Sequence, residues 1–379
     1  MDFELPGESD PVRLSIKRWL DEHKTPSGKE LARAGYVVPH WPKPWGLDAD
    51  PLAQIVIDQE LRLAGVSRPN NPIGIGWAGP TLLNAGTTEQ KERYLFPIIS
   101  GEEIWCQLFS EPDAGSDLAS LKTKAVLDGD EYVVNGQKIW TTFGHEAQFG
   151  ILIARTNWDV PNQEGITYFI CPMDTPGITV TPILDMTGMH AFNQVFFDNV
   201  RLPIGNIVGQ VNAGWKLAKV TLANERVSLS SEGAIWGSGP TIHDLIKMIK
   251  KAGGLEDKLL RQRVASVYTR AEILRLIRLR TVTSAIKGSP PGPESSIRKV
   301  MSDEHGQELL NLAKDMSMAG GMLQNSAPLY NLGLEGSEGV GLMWGFCYLF
   351  SPALTIGGGT AQVQRNIIAE KVLGLPKDL

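Results

Sequence analysis

Four short stretches of the 379-residue chain carry residues whose types and spacing suit chemistry. In FSEPDAGSDLAS (109–120), Ala114, Gly115 and Ser116 strip side-chain bulk from a turn that follows an apolar strand. Free backbone N–H groups and a hydroxyl in such a turn make a nest for phosphate or carbonyl oxygens, and an ordinary Asp/Gly/Ser turn has the same composition. In NGQKIWTTFG (135–144), Trp140 stands two residues before Thr142 at a strand end. That spacing suits a ring stacked on a flat cofactor with a hydroxyl at its edge, and it equally suits plain core. In TIGGGTAQVQRNIIAEKVLGLP (355–376), three glycines precede Thr360, which can cap a helix. A glycine-rich loop entering a helix presents N–H groups to an anion, as do many turns that bind nothing. In ANERVSLSS (223–231), Glu225 lies beside Arg226 on an amphipathic helix, where a solvated charge pair is the plainest reading.

The elements that must position these stretches fall into three zones. Residues 11–103 read as helices: 50–65 places apolar residues three and four apart, and 87–101 opens on a Thr cap and closes at Gly101. The Pro/Gly/Trp-rich stretch 37–46 between them is loop. Residues 104–208 hold short β-branched or aromatic runs separated by turn residues. DGDEYVVNGQKIW carries both a DG and an NG turn signal, so this zone reads as an antiparallel β domain, a small barrel or two packed sheets. From 213 onward long helical patterns return around a Pro/Gly/Ser loop at 288–296, as in a helical bundle. The expected fold is α+β with three domains: an N-terminal helical domain (1–103), a middle antiparallel β domain (104–210) and a C-terminal helical bundle (211–379).

Composition agrees. The chain is 42% apolar and 21% charged, which suits a globular protein and not a disordered, collagen-like or coiled-coil chain. A net charge of −6 gives no overall field for nucleic acid or anionic lipid. Cys106, Cys171 and Cys347 sit in apolar contexts and read as reduced core residues. The acidic, polar N-terminus has no secretory pattern and no run is long enough to span a membrane, so a soluble, cytoplasmic protein is expected. The six histidines are dispersed without metal-ligand spacing, and there is no G-x-S-x-G elbow. The arginines at 270, 275, 278 and 280 read as a solvated face or as a site for an acidic partner.

In this order and spacing, WCQLFSEPDAGSDLASLKTKA, DEYVVNGQKIWTT and GGGTAQVQRNIIAEKVLGLP resemble the signature blocks of the acyl-CoA dehydrogenase family, and the resemblance covers almost the whole chain. It implies FAD-dependent oxidation of an acyl-CoA thioester to the trans-2-enoyl-CoA. A carboxylate removes the α proton while the β hydrogen leaves as hydride to flavin N5, and electron-transfer flavoprotein is the implied acceptor. Such a site must stabilise enolate-like charge and supply a base of suitable pKa, which burial of a carboxylate favours. Many members carry the base in a Tyr-Glu-Gly-Thr sequence. Here Gly358 stands at the glutamate position, while Glu225-Arg226 matches the subset that carries the base on a bundle helix. The resemblance makes Glu225 the base, the N–H of Gly358 an oxyanion donor, and Arg226 a neighbour of the acyl-CoA entrance. It assigns flavin contacts to Gln107, Phe109, Ser110, Gly115, Ser116, Trp140, Thr142, Thr360 and Gln362, with Ser116 also touching substrate.

Two departures concern the partner subunit. The Arg-x-x-Phe-Gly segment that a neighbour usually lends to FAD is absent between 240 and 263, and Ser317 replaces the Gln of Gln-x-x-Gly-Gly. Similar losses occur in heteromeric actinobacterial enzymes acting on steroid-derived CoA thioesters. The chain is therefore expected in a homo- or hetero-oligomer, a dimer of dimers, as the Glu-bearing subunit of a pair. A homo-oligomer with an altered FAD contact, a non-catalytic subunit and an oxidase-type flavoenzyme are the alternatives. Gly233, Gly237 and Gly239 hint at a break that widens the pocket for a bulky acyl group.

Overall fold

A computed structural model describes residues 6–229, 233–236, 239–251, 253–286, 292–293, 295–317 and 340–377. Contacts divide the chain into two compact units. The first takes in the chain to Ile183, Phe192–Thr221 and residues 285–288. The second takes in Leu184–Ala191, Leu222–Ser284 and Ser289 onward.

The first unit opens with five helices, α1 (Pro11–Glu22), α2 (Gly28–Arg33), α3 (Pro51–Leu63), α4 (Gly79–Ala85) and α5 (Thr88–Ser100). Their starts are written locally. Asp10 and Asp50 cap α1 and α3 just ahead of a proline, and Thr87 and Gln90 form a reciprocal capping box on α5. Gly101 ends α5 at φ +77, the left-handed conformation that glycine adopts at least cost. A π-turn over Gly74–Ala78 leads into α4.

Seven strands follow: β1 (Trp105–Leu108), β2 (Lys124–Asp128), β3 (Glu131–Thr142), β4 (Phe149–Arg155), β5 (Ile166–Pro172), β6 (Ile178–Ile183) and β7 (Phe192–Pro203). They form one sheet in the order β1-β4-β2-β3-β7-β6, with β5 also on β4. The sheet is antiparallel along β2–β3, β3–β7, β4–β5 and β6–β7, but β1 and β2 both lie parallel to β4, which an all-antiparallel reading does not anticipate. Strand β6 was not among the expected runs; its alternating exposure marks a sheet edge. The Asp-Gly turn joins β2 to β3 as expected. The Asn-Gly pair does not turn the chain: Asn135 and Gly136 lie inside β3, at a register shift against β7. Gly136, at φ +150, packs so closely on Thr123 that a Cβ would lie 2.5 Å from its hydroxyl, so the glycine serves a bulge. One buried cluster runs through the sheet and includes Cys106, Leu108, Val134, Leu152, Phe169 and Val195.

Helix α6 (Gly214–Leu229) begins in the first unit, and the division falls between Thr221 and Leu222. The second unit is helical: α7 (Ile242–Lys251), α8 (Lys258–Ile286), α9 (Ser295–Met316), α10 (Val340–Phe350) and α11 (Ala361–Ile367). Helix α9 packs against α7, α10, α11 and the 3-10 turn Ser351–Thr355. It buries a charged pair, with Lys299 Nζ 2.5 Å from Asp303 Oδ2 and 3.0 Å from the Leu354 carbonyl. Among the described residues no helix is long and apolar enough to cross a membrane, and no His/Cys/Asp/Glu cluster could hold a metal ion. Residues 318–321, part of the expected Gln-x-x-Gly-Gly position, and Gly237 lie outside the described residues.

Candidate active site

In the first unit, β1 delivers Gln107, then buried Phe109 and half-buried Ser110, into a turn in which Glu111 and Ala114 exchange backbone hydrogen bonds. At its tip Gly115 and Ser116 are exposed, and a Cβ on Gly115 would meet nothing within 4 Å. The turn is fastened to β3. The Ile139 N–H donates to the Ser110 carbonyl (2.9 Å), and the fully buried Lys138 Nζ donates to the Phe109 carbonyl (2.9 Å) and to Glu111 Oε1 (2.8 Å). The Glu111 carboxylate also accepts the N–H groups of Lys122 (2.6 Å) and Thr123 (2.9 Å). Burial drives the Lys138 ammonium down to about 8 against the pull of Glu111. Burial pushes Glu111 up, and Lys138 with the donated hydrogen bonds outweighs it, leaving the carboxyl below its ordinary range.

The register of β3 shifts again between Lys138 and Thr141. Trp140 lies in that shift at φ +62, a conformation rarely held by a bulky residue. Its indole is 57% exposed and touches Phe192 edge-on at 5.9 Å. An aromatic ring held in a strained backbone with its surface open fits a flat ring ligand, and the open Gly115–Ser116 turn fits its polar substituents. On these grounds the residues present fit a flavin. Gln107, Phe109, Ser110, Gly115, Ser116, Trp140 and Thr142 thus belong to two segments that the sheet joins. Helix α6 is tied to this unit by hydroxyls: Thr221 Oγ1 lies 2.8 Å from Thr81 Oγ1 and 3.0 Å from the Tyr168 hydroxyl.

In the second unit, one helical turn beyond Thr221, Glu225 is buried with 7% of its surface exposed. Arg226 beside it is half-buried, and burial lowers its pKa against the opposing charge of Glu225. The glycine triplet has a separate reason at two positions. A Cβ at Gly357 would lie 2.5 Å from the Trp236 ring, and one at Gly359, at φ +87, would lie 2.6 Å from Gln364 Nε2. The buried Gln364 amide donates to the Gly358 (3.2 Å) and Gly359 (3.4 Å) carbonyls and so orients the peptides around Gly358, itself at φ +69. Thr360 Oγ1 accepts from Val363 N (3.2 Å) and caps α11, as expected, and Gln362 is exposed on that helix. The turn leading into the triplet is held by α9, through Lys299 to the Leu354 carbonyl and Gln307 to the Ser351 carbonyl (3.0 Å).

Lys138, Glu111 and Gln364 were not singled out by motif. One signal was present: Tyr132, Val134 and Lys138 share the buried side of β3, and a lysine in that phase requires a counter-charge.

Three family models match the chain: acyl-CoA dehydrogenase N-terminal domain at residues 10–102, middle domain at 106–200 and C-terminal domain at 212–373. Acyl-CoA dehydrogenase FadE34 of Mycobacterium tuberculosis is 42% identical over 348 residues, which is 92% of this chain and 46% of that protein. The chain therefore spans about half the length of that relative. Among solved structures, the Tcur3481-Tcur3483 steroid ACAD superposes with a TM-score of 0.81 at 27% identity, covering 100% of both chains. The ChsE4-ChsE5 complex from Mycobacterium tuberculosis gives a TM-score of 0.78 at 30% identity, again covering 100% of both.

Proposed function

Because the chain belongs to the acyl-CoA dehydrogenase family, whose members are FAD-dependent oxidoreductases, we propose that it dehydrogenates an acyl-CoA thioester between the α and β carbons with Glu225 as base. The observation that carries this reading is the burial of the Glu225 carboxylate on α6 in a chain whose C-terminal loop has glycine at 358. Bound FAD supplies a two-electron acceptor for the hydrogen that leaves the β carbon. Gln107, Phe109, Ser110, Gly115, Ser116, Trp140, Thr142, Thr360 and Gln362 are the residues that would hold it. Glu225 takes the α proton onto its carboxylate oxygen. The Gly358 N–H donates to the thioester carbonyl as charge grows there, a role that needs no side chain and is favoured by a peptide oriented by Gln364. Arg226 sits beside the base, where its cation suits the anionic thioester carrier, and Ser116 serves substrate as well as flavin.

The named relatives favour a steroid-derived acyl group and a heteromeric assembly, since one neighbour is a steroid ACAD of two named chains and another a complex of two. The missing Arg-x-x-Phe-Gly segment and Ser317 support a subunit poorly equipped to complete its partner's flavin site. Electron-transfer flavoprotein is the proposed acceptor. The three cysteines, free and buried, fit a reducing, cytoplasmic setting. We read 1–103, 104–210 and 211–379 as the three domains.

Replacing the base tests the proposal. Glu225→Gln keeps the shape and removes the proton acceptor, so FAD content should persist while anaerobic flavin bleaching by steroid-side-chain acyl-CoA slows roughly 1,000-fold. Bleaching at the unaltered rate would remove Glu225 from the mechanism.

A further inference from the structure

We propose that the buried Lys138–Glu111 pair is a positioning device for FAD: it clasps the 109–123 loop shut and locks it to the strand that carries Trp140. The inference rests on the reading that this loop and Trp140 hold the flavin.

The ladder of β1 ends at Leu108, so the chain after it has lost its regular partner. Glu111 then bonds the far end of the same loop through the Lys122 and Thr123 N–H groups, which closes the loop at its base. Lys138 joins that clasp, and the Phe109 carbonyl, to β3 two residues before Trp140. Apart from the Lys138–Glu111 contact itself, these bonds end on main-chain atoms. The pair thus fixes where the Phe109, Ser110, Gly115 and Ser116 backbones lie relative to the indole. Arg155 holds the distal part of the loop separately, through the Ala119 (2.6 Å) and Leu121 (3.2 Å) carbonyls, and main-chain bonds from Ile139 to the Ser110 carbonyl (2.9 Å) and from Arg155 to the Thr123 carbonyl (2.8 Å) set each end of the loop against the sheet, while the pair ties one end to the other. A buried ion pair is a weak source of stability, because apolar residues of the same volume often do as well. What apolar residues cannot do is hold three backbone groups, the Phe109 carbonyl and the Lys122 and Thr123 N–H groups, in register through hydrogen bonds. A preformed cradle binds without first ordering a loop, and that saving appears as slower ligand loss.

The test uses full-length flavoprotein, alone or with whichever partner chain lets it retain FAD. Release of FAD is followed by recovery of its fluorescence on dilution, beside the bound-flavin absorbance spectrum and Tm. Glu111→Leu/Lys138→Met leaves no buried charge but frees the Phe109 carbonyl and the Lys122 and Thr123 N–H groups, so Tm should fall modestly while FAD leaves about tenfold faster with a shifted absorbance band. Glu111→Asp, which keeps both charges but shortens the clasp, guards against a double variant that fails to fold; it should also speed FAD release. Wild-type release rate and spectrum in whichever of these variants folds would overturn the proposal and leave the pair a structural ion pair. Trp140→Ala and Ser116→Ala separate the two failures. If these also retain FAD like wild type, it is the flavin reading of this face that fails.

Discussion

His305 shows how burial alone can set a chemical property. It sits on α9 with little surface exposed, and desolvation, helped by Arg270, lowers its pKa from 6.5 to about 4. Between those values the unfolded chain binds a proton that the folded chain refuses. Stability from this residue is therefore full above pH 6.5 and is lost as pH falls toward 4, by up to roughly 3 kcal/mol. Asp303 works the other way: burial, opposed by Lys299, raises its carboxyl to about 6, so lowering the pH relieves it. Comparing wild type with His305→Gln cancels the Asp303 contribution. On acidification from pH 7 to 4.5 the wild-type Tm should fall further than that of the variant; parallel curves would mean that the fold accepts a charged imidazole. Legibility at this scale followed chemistry. The glycine triplet stands out because few residue types can replace it, whereas Glu225 reads by itself as a solvated charge, is marked as a base only by the family resemblance, and shows its burial only in the fold. Glu111 and Lys138 do not stand out, because each makes sense only once the fold has brought the other beside it.

Helix starts were the most legible elements, since Thr87 and Thr360 bond to N–H groups three residues away and need no tertiary contact. Strand pairing was less legible. The parallel β1–β4 ladder aligns Trp105 with Phe149 across a loop and two other strands, and the Asn-Gly bulge depends on Thr123 of a neighbouring segment. Helix α9 carries its own element-scale consequence. Lys299→Met would strand Asp303 in the interior and release the Leu354 carbonyl, at a cost of about 3–5 kcal/mol. Lys299→Met/Asp303→Leu should recover most of that loss in thermal melts, since it leaves no buried charge. A double variant as unstable as the single would show that the carbonyl contact, not the charge, holds the turn.

For the whole molecule, the α–β–α order and the family were readable because they are carried by long patterns and by blocks at both ends of the active segments. The acyl group was not, since it depends on side chains from several helices that linear order does not place. The loss of the partner-facing motif yields a prediction for the assembly. The lone chain should purify with well under one FAD per chain and gain flavin on mixing with a second family member, read by absorbance and native mass. A full complement in a single-component oligomer would end the heteromer proposal. The cysteines offer an independent view of how such an assembly breathes. Cys106 and Cys171 lie on β1 and β5 in the sheet unit, and Cys347 lies on α10 in the helical unit. Burial pushes the Cys171 and Cys347 thiols up to about 12, and Cys106 well above its ordinary value. Closed, all three are nearly inert to alkylation. Each therefore acts as a silent clock that starts only when its own unit opens, and a mass-resolved iodoacetamide time course would report the two openings separately.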